Sequence, residues 1–230
     1  MYRCSTRATG AASAIMVAST ALQRRFGGTV VPHGSDTELF DPVGIDREKA
    51  RSAFGFSVPT VLFPGTPRSH KGLEPLAEAV RRVPGARLAV TCRPKELAGP
   101  EWGHFPLDRI PLVPYSSRSK LLAAADVIAI PQLDSEPARY QMPIKVFDVM
   151  AMGKAIVASS VSDLPLVLGG CGRLVPPGDI EMLAAAISEL LSDPEEARAL
   201  GELARARCLE RYSMQRIGER LSEVISRVAL

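Results

Sequence analysis

Short, almost wholly apolar runs alternate with helical patterns between residues 60 and 175, and this alternation restricts the fold more than any other feature. The run Val127–Ile130 contains only aliphatic residues, as do strands at the centre of a parallel sheet covered on both faces. Six such runs are predicted to be strands: residues 60–63, 86–91, 109–113, 127–130, 155–158 and 173–175. Helices are predicted between them at 72–82, 120–125 and 146–152. The fold class is therefore predicted to be α/β, with a doubly wound, Rossmann-like parallel sheet of about six strands.

The last fifth of the chain has the pattern of three consecutive helices. The first is predicted to follow Asp179, a residue type suited to cap a helix N-terminus, and to end at Asp193-Pro194. A second helix restarts at Glu195, and a third begins at Ser213 and carries an apolar stripe. The stripe consists of Ile217, Leu221, Val224, Ile225 and Val228. We expect the first of these C-terminal helices to cover the sheet.

Composition excludes several classes of protein. With 46% hydrophobic and 23% charged residues over 230 positions, the chain is an ordinary globular one and is neither disordered nor fibrous. A net charge of +3 and an aromatic content of 5% argue against a nucleic-acid partner. No apolar run reaches the roughly 18 residues that span a membrane, so any membrane contact is expected to be peripheral at most.

The cysteines and histidines carry little chemistry of their own. The four cysteines are scattered without a CxxC pair, which is typical of reduced thiols and favours a cytoplasmic location. The three histidines are widely spaced, so no metal site is predicted. The apolar stretch 11–18 resembles a short signal peptide, but Gln23-Arg24-Arg25 follows it instead of a small-residue cleavage site. We interpret this stretch as a buried strand.

The first candidate site is the loop 64–72, directly after the first main strand. Ligands of open parallel sheets bind at the carboxyl ends of the strands. Gly65 lets the backbone approach a ligand closely, and Arg68 and Lys71 bring two positive charges. An anion such as a diphosphate fits this loop. The alternative is a surface loop with two solvated bases, because no GxGxxG or Walker pattern is present.

The second candidate site lies within residues 132–148. Pro143 suits the first turn of a helix, which would turn the backbone N–H groups around Ile144 toward the strand ends. Asp148 is then near enough to accept hydrogen bonds from ribose hydroxyls.

Two weaker features accompany these loops. Asp134 and Glu136 resemble the acidic pairs that bind divalent metals, but no second acidic cluster supports a metal there. Residues 90–94 follow another strand, and their exposed backbone is placed to flank a nucleotide base.

Five segments resemble, in the same order along the chain, the motifs of retaining GT-B glycosyltransferases of family 4. The segments are 31–40, Lys71-Gly72-Leu73, 124–127, 142–158 and 172–179. The first resembles the linker between the two lobes of such enzymes, and the second resembles their phosphate-side lysine motif. The fourth is similar to their donor-site helix, with the third before it and the fifth after it. The matches run from about residue 14 to residue 225.

The resemblance implies a single GT-B lobe that binds a nucleotide-diphosphate sugar. Lys71 would contact the diphosphate. Arg68 stands near the place of an arginine that in the family directly follows the glycine, whereas here Thr66 follows Gly65. Asp148 occupies the place of the family's second acidic residue, which binds ribose.

The donor loop departs from the family at one position. Tyr140 stands where the first acidic residue would be and cannot act as a carboxylate. The loop from Tyr140 to Ile144 would still offer backbone N–H groups to the diphosphate and the sugar. The predicted donor-binding residues are Gly65, Thr66, Arg68, Lys71, Tyr140, Gln141, Met142, Ile144 and Asp148. Family members need no metal or other cofactor, because bases and helix dipoles stabilise the leaving diphosphate.

The resemblance also divides the chain. Residues 1–40 would be a remnant of the N-terminal lobe with the interdomain linker, 41–210 the nucleotide-sugar-binding domain and 211–230 the helix that crosses between lobes. The N-terminal lobe, which holds the acceptor in such enzymes, is expected to be mostly missing, so no catalytic residue is assigned. We expect a hexosyltransferase that is incomplete as a single chain, either because it comes from a split or truncated gene or because it works with a separate N-terminal lobe.

Two other functions stay open. A non-catalytic GT-B-like interaction module, or an inactive gene fragment, is favoured by Tyr140 and by an aspartate in place of glutamate at Asp148. A complete small hydrolase or epimerase is the third alternative, although no Ser/His/Asp set or GxSxG motif supports it. The sequence does not specify the nucleotide, the sugar or the acceptor.

Overall fold

The computed structural model describes residues 12–93 and 95–228; parts of the predicted segments 1–40, 11–18, 90–94 and 211–230 therefore lie outside the described residues. The strands are Met16–Val17 (β1), Thr29–Val30 (β2), Thr60–Phe63 (β3), Arg87–Cys92 (β4), Leu107–Pro111 (β5), Val127–Ile130 (β6), Ala155–Ser159 (β7) and Arg173–Val175 (β8). The α-helices are Thr20–Phe26 (α1), Arg47–Phe54 (α2), Leu73–Arg81 (α3), Arg118–Ala124 (α4), Glu136–Tyr140 (α5), Lys145–Ala151 (α6), Leu164–Leu168 (α7), Ile180–Ser192 (α8), Pro194–Arg211 (α9) and Met214–Ser226 (α10).

Six of the strands form one parallel sheet in the order β5-β4-β3-β6-β7-β8. At its centre β3 pairs with β4 on one side and with β6 on the other, where Val61 lies opposite Val127. The strand order reverses between β3 and β6, because the chain continues from β3 to β4 on one side and from β6 to β7 on the other, and a crevice forms at the carboxyl ends of these two strands. The predicted α/β, doubly wound parallel sheet of six strands is confirmed.

Both faces of this sheet are buried, which explains why its central strands are apolar throughout. Leu62 and Ile128 point into one hydrophobic core, and their neighbours Val61 and Val127 point into the other. The first core also contains Phe147, Met150 and Leu168, and the second contains Leu76, Val80 and Ile187. Alternate residues of one strand therefore pack against helices on opposite sides of the sheet.

The strand boundaries follow the sequence except at the edge of the sheet. Strands β3, β6 and β8 have the predicted bounds, whereas β5 covers Leu107–Pro111 instead of 109–113. The side chain of Asp108 on β5 accepts a hydrogen bond of 2.7 Å from Arg87 Nε on the neighbouring strand. An edge strand tolerates such polar residues because one of its sides is open to solvent, and they hide its start in the sequence.

The N-terminal prediction is wrong in part. In place of a buried strand over 11–18, the described residues contain the two-residue strand β1, which pairs with β2 in a separate parallel sheet. Met16 of β1 is 46% exposed, because two strands of two residues are too small to enclose a side chain. The apolar composition of the segment therefore does not reflect burial in this chain.

The C-terminal helices begin where the sequence indicates. Asp179 caps α8, its side chain accepting a hydrogen bond of 3.0 Å from the Met182 N–H, and Ile187 on that helix is fully buried against the sheet. In the apolar stripe of α10, Val224 is buried, whereas Leu221 and Ile225 are exposed. Within the described ranges, every helix is too short or too polar to cross a membrane.

Candidate functional site

A cleft of about 570 Å³ opens at the carboxyl ends of β3 and β6, where the strand order reverses. Its lining comes from the ends of these strands and the loops after them, from the starts of α4 and α6, and from residues 18, 22, 33 and 34 of the N-terminal segment. This is the position at which open parallel sheets bind ligands. The lining includes Lys71, Arg118, Gln132, Tyr140, Gln141, Met142, Ile144, Lys145 and Asp148.

The loops after β3 and β6 lie directly against each other. Gly72 has a φ of +67°, and a Cβ built on it would lie 1.8 Å from the carbonyl oxygen of Pro131. The N–H of Leu133 donates a hydrogen bond of 3.0 Å to the carbonyl of His70. Glycine is therefore required at residue 72 both for its backbone conformation and for the close contact, and this contact fixes Lys71 at the rim of the crevice.

Lys71 is held by its own loop. Its Nζ donates a hydrogen bond of 3.1 Å to the carbonyl of Thr66. Partial burial lowers the pKa of Lys71, and the nearby charge of Arg68 lowers it further. Arg68 itself is exposed and is absent from the residues that line the cleft. Of the two bases predicted in this loop, the structure places Lys71 in the cleft and Arg68 outside it.

A second lysine, Lys145 at the first position of α6, lies against the other side of the same loop. A Cβ built on Gly65 would lie 1.8 Å from Lys145 Nζ, so the ammonium group fills the space beside the glycine. Burial lowers the pKa of Lys145 to about 8, and the positive charges of Lys71 and Arg118 contribute to the shift. Asp148 opposes this shift, so Lys145 lies partly desolvated among two other cations and one nearby carboxyl group.

Arg118 is the third cation. It begins α4, its guanidinium lies 5.1 Å from the ring centroid of Tyr115, and its side chain lines the cleft. Sequence reasoning missed both Arg118 and Lys145 as site residues. Lys145 lies inside the segment 142–158 that resembles the donor-site helix, but it was not predicted to bind the donor. Arg118 lies in none of the motifs.

Asp148 lies one turn into α6 and is 8% exposed. Burial raises its pKa from the ordinary 3.8 to about 6, although a hydrogen bond from Ser35 opposes this shift. That bond, from Ser35 Oγ to Asp148 Oδ1, measures 2.8 Å. The carboxyl group thus joins the N-terminal segment to the cleft wall and presents an acceptor next to the cations.

The donor loop predicted from the sequence forms one wall of the cleft. Tyr140 is half-buried, with the guanidinium of Arg25 5.0 Å from its ring centroid. Gln141 Oε1 and His70 Nε2 are 3.1 Å apart, which links this wall to the loop of Lys71. Met142 is buried, and Ile144 is exposed at the residue that precedes α6.

An apolar extension of about 430 Å³ continues the cleft beyond Gly65 and Thr66. It shares Pro64, Arg118, Lys145 and Asp148 with the first part. Its other walls are largely apolar and include Phe40, Val113, Leu121, Leu122 and Val149. Thr91, from the predicted base-flanking segment, also lines it. Arg118, Lys145 and Asp148 therefore lie where the two compartments meet, and Lys71 lines the first compartment.

The acidic pair predicted as a weak metal feature is engaged otherwise. Asp134 accepts hydrogen bonds of 2.6 and 2.8 Å from Arg139, which lowers the pKa of Asp134. Across residues 12–93 and 95–228, no three His, Cys, Asp or Glu side chains are grouped as metal ligands would be. Cys92, Cys171 and Cys208 are buried free thiols.

Comparison with known proteins identifies the family. The family model for glycosyl transferases group 1 matches residues 58–193, which is more than half of the chain. The chain belongs to the glycosyl transferases group 1 family. The match begins just before β3 and ends just after α8, so it includes most of the residues that line the cleft of this family member.

Two curated relatives are similar to this chain in sequence, and one solved structure shares its fold. The chain is 33% identical over 217 residues to an MMP alpha-(1->4)-mannosyltransferase of Mycolicibacterium hassiacum, covering 87% of this chain and 49% of the relative. It is 30% identical over 226 residues to an alpha-maltose-1-phosphate synthase of Mycolicibacterium smegmatis, covering 87% and 57%. A crystal structure of Anabaena HepE in complex with UDP and glucose has the same fold, with a TM-score of 0.84, 20% identity and coverage of 97% and 66%.

The chain spans about half the length of the curated relatives it matches. The predicted GT-B glycosyltransferase family and lobe fold are thus confirmed. The roles assigned to single cleft residues remain predictions.

Proposed function

We propose that this chain is the donor-binding domain of a retaining GT-B glycosyltransferase of family 4 type, and that its cleft binds a nucleotide-diphosphate sugar. The observation that carries the proposal is the group of three cations, Lys71, Arg118 and Lys145, at the crevice between β3 and β6. Three positive charges in a partly buried cleft match the charge of a diphosphate better than that of any neutral ligand.

The two compartments suit the two ends of such a donor. The apolar extension offers Val113 and Leu122 to a nucleotide base, and Asp148 at its entrance is an acceptor for ribose hydroxyls. The diphosphate then lies over Lys145 and Lys71, and the sugar occupies the first part of the cleft. We assign Gly65 and Thr66 to the close approach of the diphosphate, and Tyr140, Gln141, Met142 and Ile144 to the wall around the sugar.

The cations would also assist the reaction. In glycosyl transfer, the bond between the anomeric carbon and the β-phosphate oxygen breaks, and its electron pair stays with the diphosphate. Negative charge therefore grows on the phosphate in the transition state. Lys71, Lys145 and Arg118 are placed to stabilise that charge in a partly buried site, where such interactions are stronger than in bulk water.

The relatives support the reaction class. One is described as a mannosyltransferase and another as a maltose-1-phosphate synthase, and the HepE structure holds UDP and glucose. We infer a hexosyl donor from these descriptions, without choosing the nucleotide.

We also propose the division of the chain into 1–40, 41–210 and 211–230, with the acceptor held by a separate N-terminal lobe. The exposed side chains of Leu221 and Ile225 on α10 support a partner lobe, because an apolar face of this kind favours burial.

A non-catalytic interaction module is the second candidate. Tyr140 favours it, since its ring lies against Arg25 and offers no carboxylate to a sugar. This candidate predicts that no mixture with an N-terminal lobe transfers sugar, and sugar transfer by such a mixture would reject it.

Isothermal titration of the full chain with UDP, GDP and ADP tests the donor site. We expect at least one of them to bind, and Lys71→Ala to weaken that binding by about 10- to 100-fold, because a charge-assisted hydrogen bond is lost. Lys49→Ala is the matched control, since Lys49 is an exposed lysine on α2 that pairs with Asp46. The absence of heat with all three nucleotides at millimolar concentration would contradict the proposal.

A further inference from the structure

Gln132 is a buried amide in the cleft that lacks a partner. It follows β6 by two residues, is 3% exposed and lines the first part of the cleft. Its Oε1 is buried at the cleft wall and accepts no hydrogen bond from any described residue. A buried polar atom without a partner costs free energy, so such atoms in native proteins are usually paired by a ligand or by water.

The backbone on both sides of Gln132 is fixed. The carbonyl of Pro131 lies against Gly72, and the N–H of Leu133 donates to the carbonyl of His70. Gln132 is therefore clamped between two interactions with the loop after β3. The backbone that carries this side chain is therefore held in place beside the cleft.

The charges around Gln132 restrict what its partner is. Lys71 and Lys145 line the same compartment and, in the proposed function, take up the diphosphate. Phosphate oxygens are acceptors and have no proton to give to Oε1. The partner must bring an O–H or N–H group. Gln132 lines the first compartment and is absent from the lining of the apolar extension. In the proposed function the nucleotide base lies in that extension, so the base does not supply the O–H or N–H group.

We propose that Gln132 is a specificity-determining residue whose side-chain amide hydrogen-bonds a hydroxyl of the donor sugar. This inference rests on the proposed function, since it requires the sugar to lie in the first compartment. The amide also carries N–H donors, so it pairs with a hydroxyl in either role. A sugar that lacks this hydroxyl leaves the amide unpaired in the bound state and is therefore discriminated against.

The experiment compares Gln132→Met with the unsubstituted full chain. Methionine keeps an unbranched side chain of similar length and removes the amide. The probes are UDP-glucose, GDP-mannose and ADP-glucose, each titrated beside its parent nucleoside diphosphate. Gln215→Met is the matched control, because Gln215 is exposed on α10 and bonds Glu219 there.

For the nucleotide sugar that binds, we expect Gln132→Met to weaken affinity by about 3- to 10-fold, as for the loss of one neutral hydrogen bond. Affinity for the parent diphosphate stays unchanged, and so do both affinities in Gln215→Met. A deoxy analogue of the nucleotide sugar that lacks the critical hydroxyl should bind the unsubstituted chain more weakly by a similar factor. It should bind Gln132→Met with the same affinity as the intact nucleotide sugar does. This pair of results identifies the hydroxyl.

A thermal melt without ligand separates this role from a structural one. Since the amide is unpaired in the free protein, Gln132→Met should melt at the same temperature as the parent chain or higher. If Gln132→Met weakens the affinities for the nucleoside diphosphate and for the nucleotide sugar by the same factor, or leaves both unchanged, the assignment of Gln132 is overturned. If the unsubstituted chain binds no nucleoside diphosphate, the proposed donor site itself fails.

Discussion

The Nζ atom of Lys145 occupies the place where a side chain on Gly65 would stand, since a Cβ at residue 65 would lie 1.8 Å from it. The glycine after β3 and the lysine at the start of α6 therefore form one unit. The first keeps space open, and the second fills that space with a positive charge at the crevice. The proposed diphosphate position depends on this pair.

Gly65→Ala tests the pair. The atom that the new methyl group meets is the end of a flexible lysine, so Lys145 should swing away at little cost to folding. We expect the free energy of unfolding to change by less than about 1 kcal/mol and nucleoside diphosphate affinity to fall by about 10-fold. Chemical denaturation and calorimetric titration measure the two quantities. Unchanged affinity would show that Lys145 does not contact the nucleotide.

Gly72→Ala should behave in the opposite way. Residue 72 has a positive φ, and its Cβ would meet the backbone oxygen of Pro131, which cannot move aside as a lysine can. We expect a loss of about 2–5 kcal/mol in unfolding free energy from left-handed strain and overpacking together. A variant with parental stability in urea denaturation would mean that the two loops are not in contact.

Nucleotide affinity should depend on pH through Lys145, whose pKa is lowered to about 8. A diphosphate prefers the protonated lysine, so binding above this pH requires proton uptake and weakens as pH rises. We expect affinity for whichever nucleoside diphosphate binds to fall by about 3- to 10-fold between pH 7 and pH 9. Titrations at several pH values measure this. Lys145→Met should bind more weakly at pH 7 and lose this pH dependence; the same slope in the variant would assign the effect elsewhere.

Stability should depend on pH through Asp148. Its folded-state pKa of about 6 exceeds its ordinary value of 3.8, so the folded protein binds more protons than the unfolded chain between these values. The contribution of the protonated Asp148 carboxyl to stability is complete below about pH 4 and is lost as pH rises through 6, so the free energy of unfolding decreases over this range. Asp148→Asn should make this decrease smaller by up to about 3 kcal/mol. Denaturation at pH 4, 5, 6 and 7 gives the two curves, and parallel curves would refute the assignment.

The stability of helix α1 in the N-terminal segment should depend on the carboxylate of Asp163. Its two carboxylate oxygens accept hydrogen bonds of 2.7 Å from the Thr20 N–H and 2.6 Å from Thr20 Oγ1, at the first residue of α1. Asp163→Ala leaves both donors unpaired and should destabilise this helix locally by about 1–3 kcal/mol. Hydrogen exchange should then speed up at residues 20–26, while β3 and β6 stay protected. Equal acceleration in the central strands would indicate global unfolding instead.

The central sheet was predictable because both of its faces are buried. A strand such as Val127–Ile130 is apolar at every position, and this pattern requires no knowledge of its neighbours. The stretch around Met16 was wrongly predicted to be a buried strand from the same kind of apolar pattern. An apolar pattern leads to burial only where enough surrounding structure packs against it. The edge strand β5 was predicted two residues too late, because Asp108 interrupts the apolar pattern near its start.

The cleft was predictable where a local motif carried it. Lys71 and Asp148 belong to the predicted motifs, and both line the cleft. Arg68 belongs to the same predicted loop as Lys71 but is exposed and absent from the lining, because a sequence shows which residues share a loop and not which of their side chains face the crevice. Lys145 and Arg118 were missed because their role depends on proximity across the fold: the first meets Gly65 from 80 positions away along the chain. Residues of this kind have no sequence signature in a single chain.

Acylation of lysines at pH 8, followed by peptide mass spectrometry, tests the central claim most directly. Lys154 is the internal control, because burial lowers its pKa to about 8 as well, and it lines a different cavity. Saturating nucleoside diphosphate should slow the modification of Lys71 and Lys145 and leave the rates at Lys154 and Lys49 unchanged. Binding of the nucleotide with undiminished acylation of both Lys71 and Lys145 would contradict a diphosphate site between them.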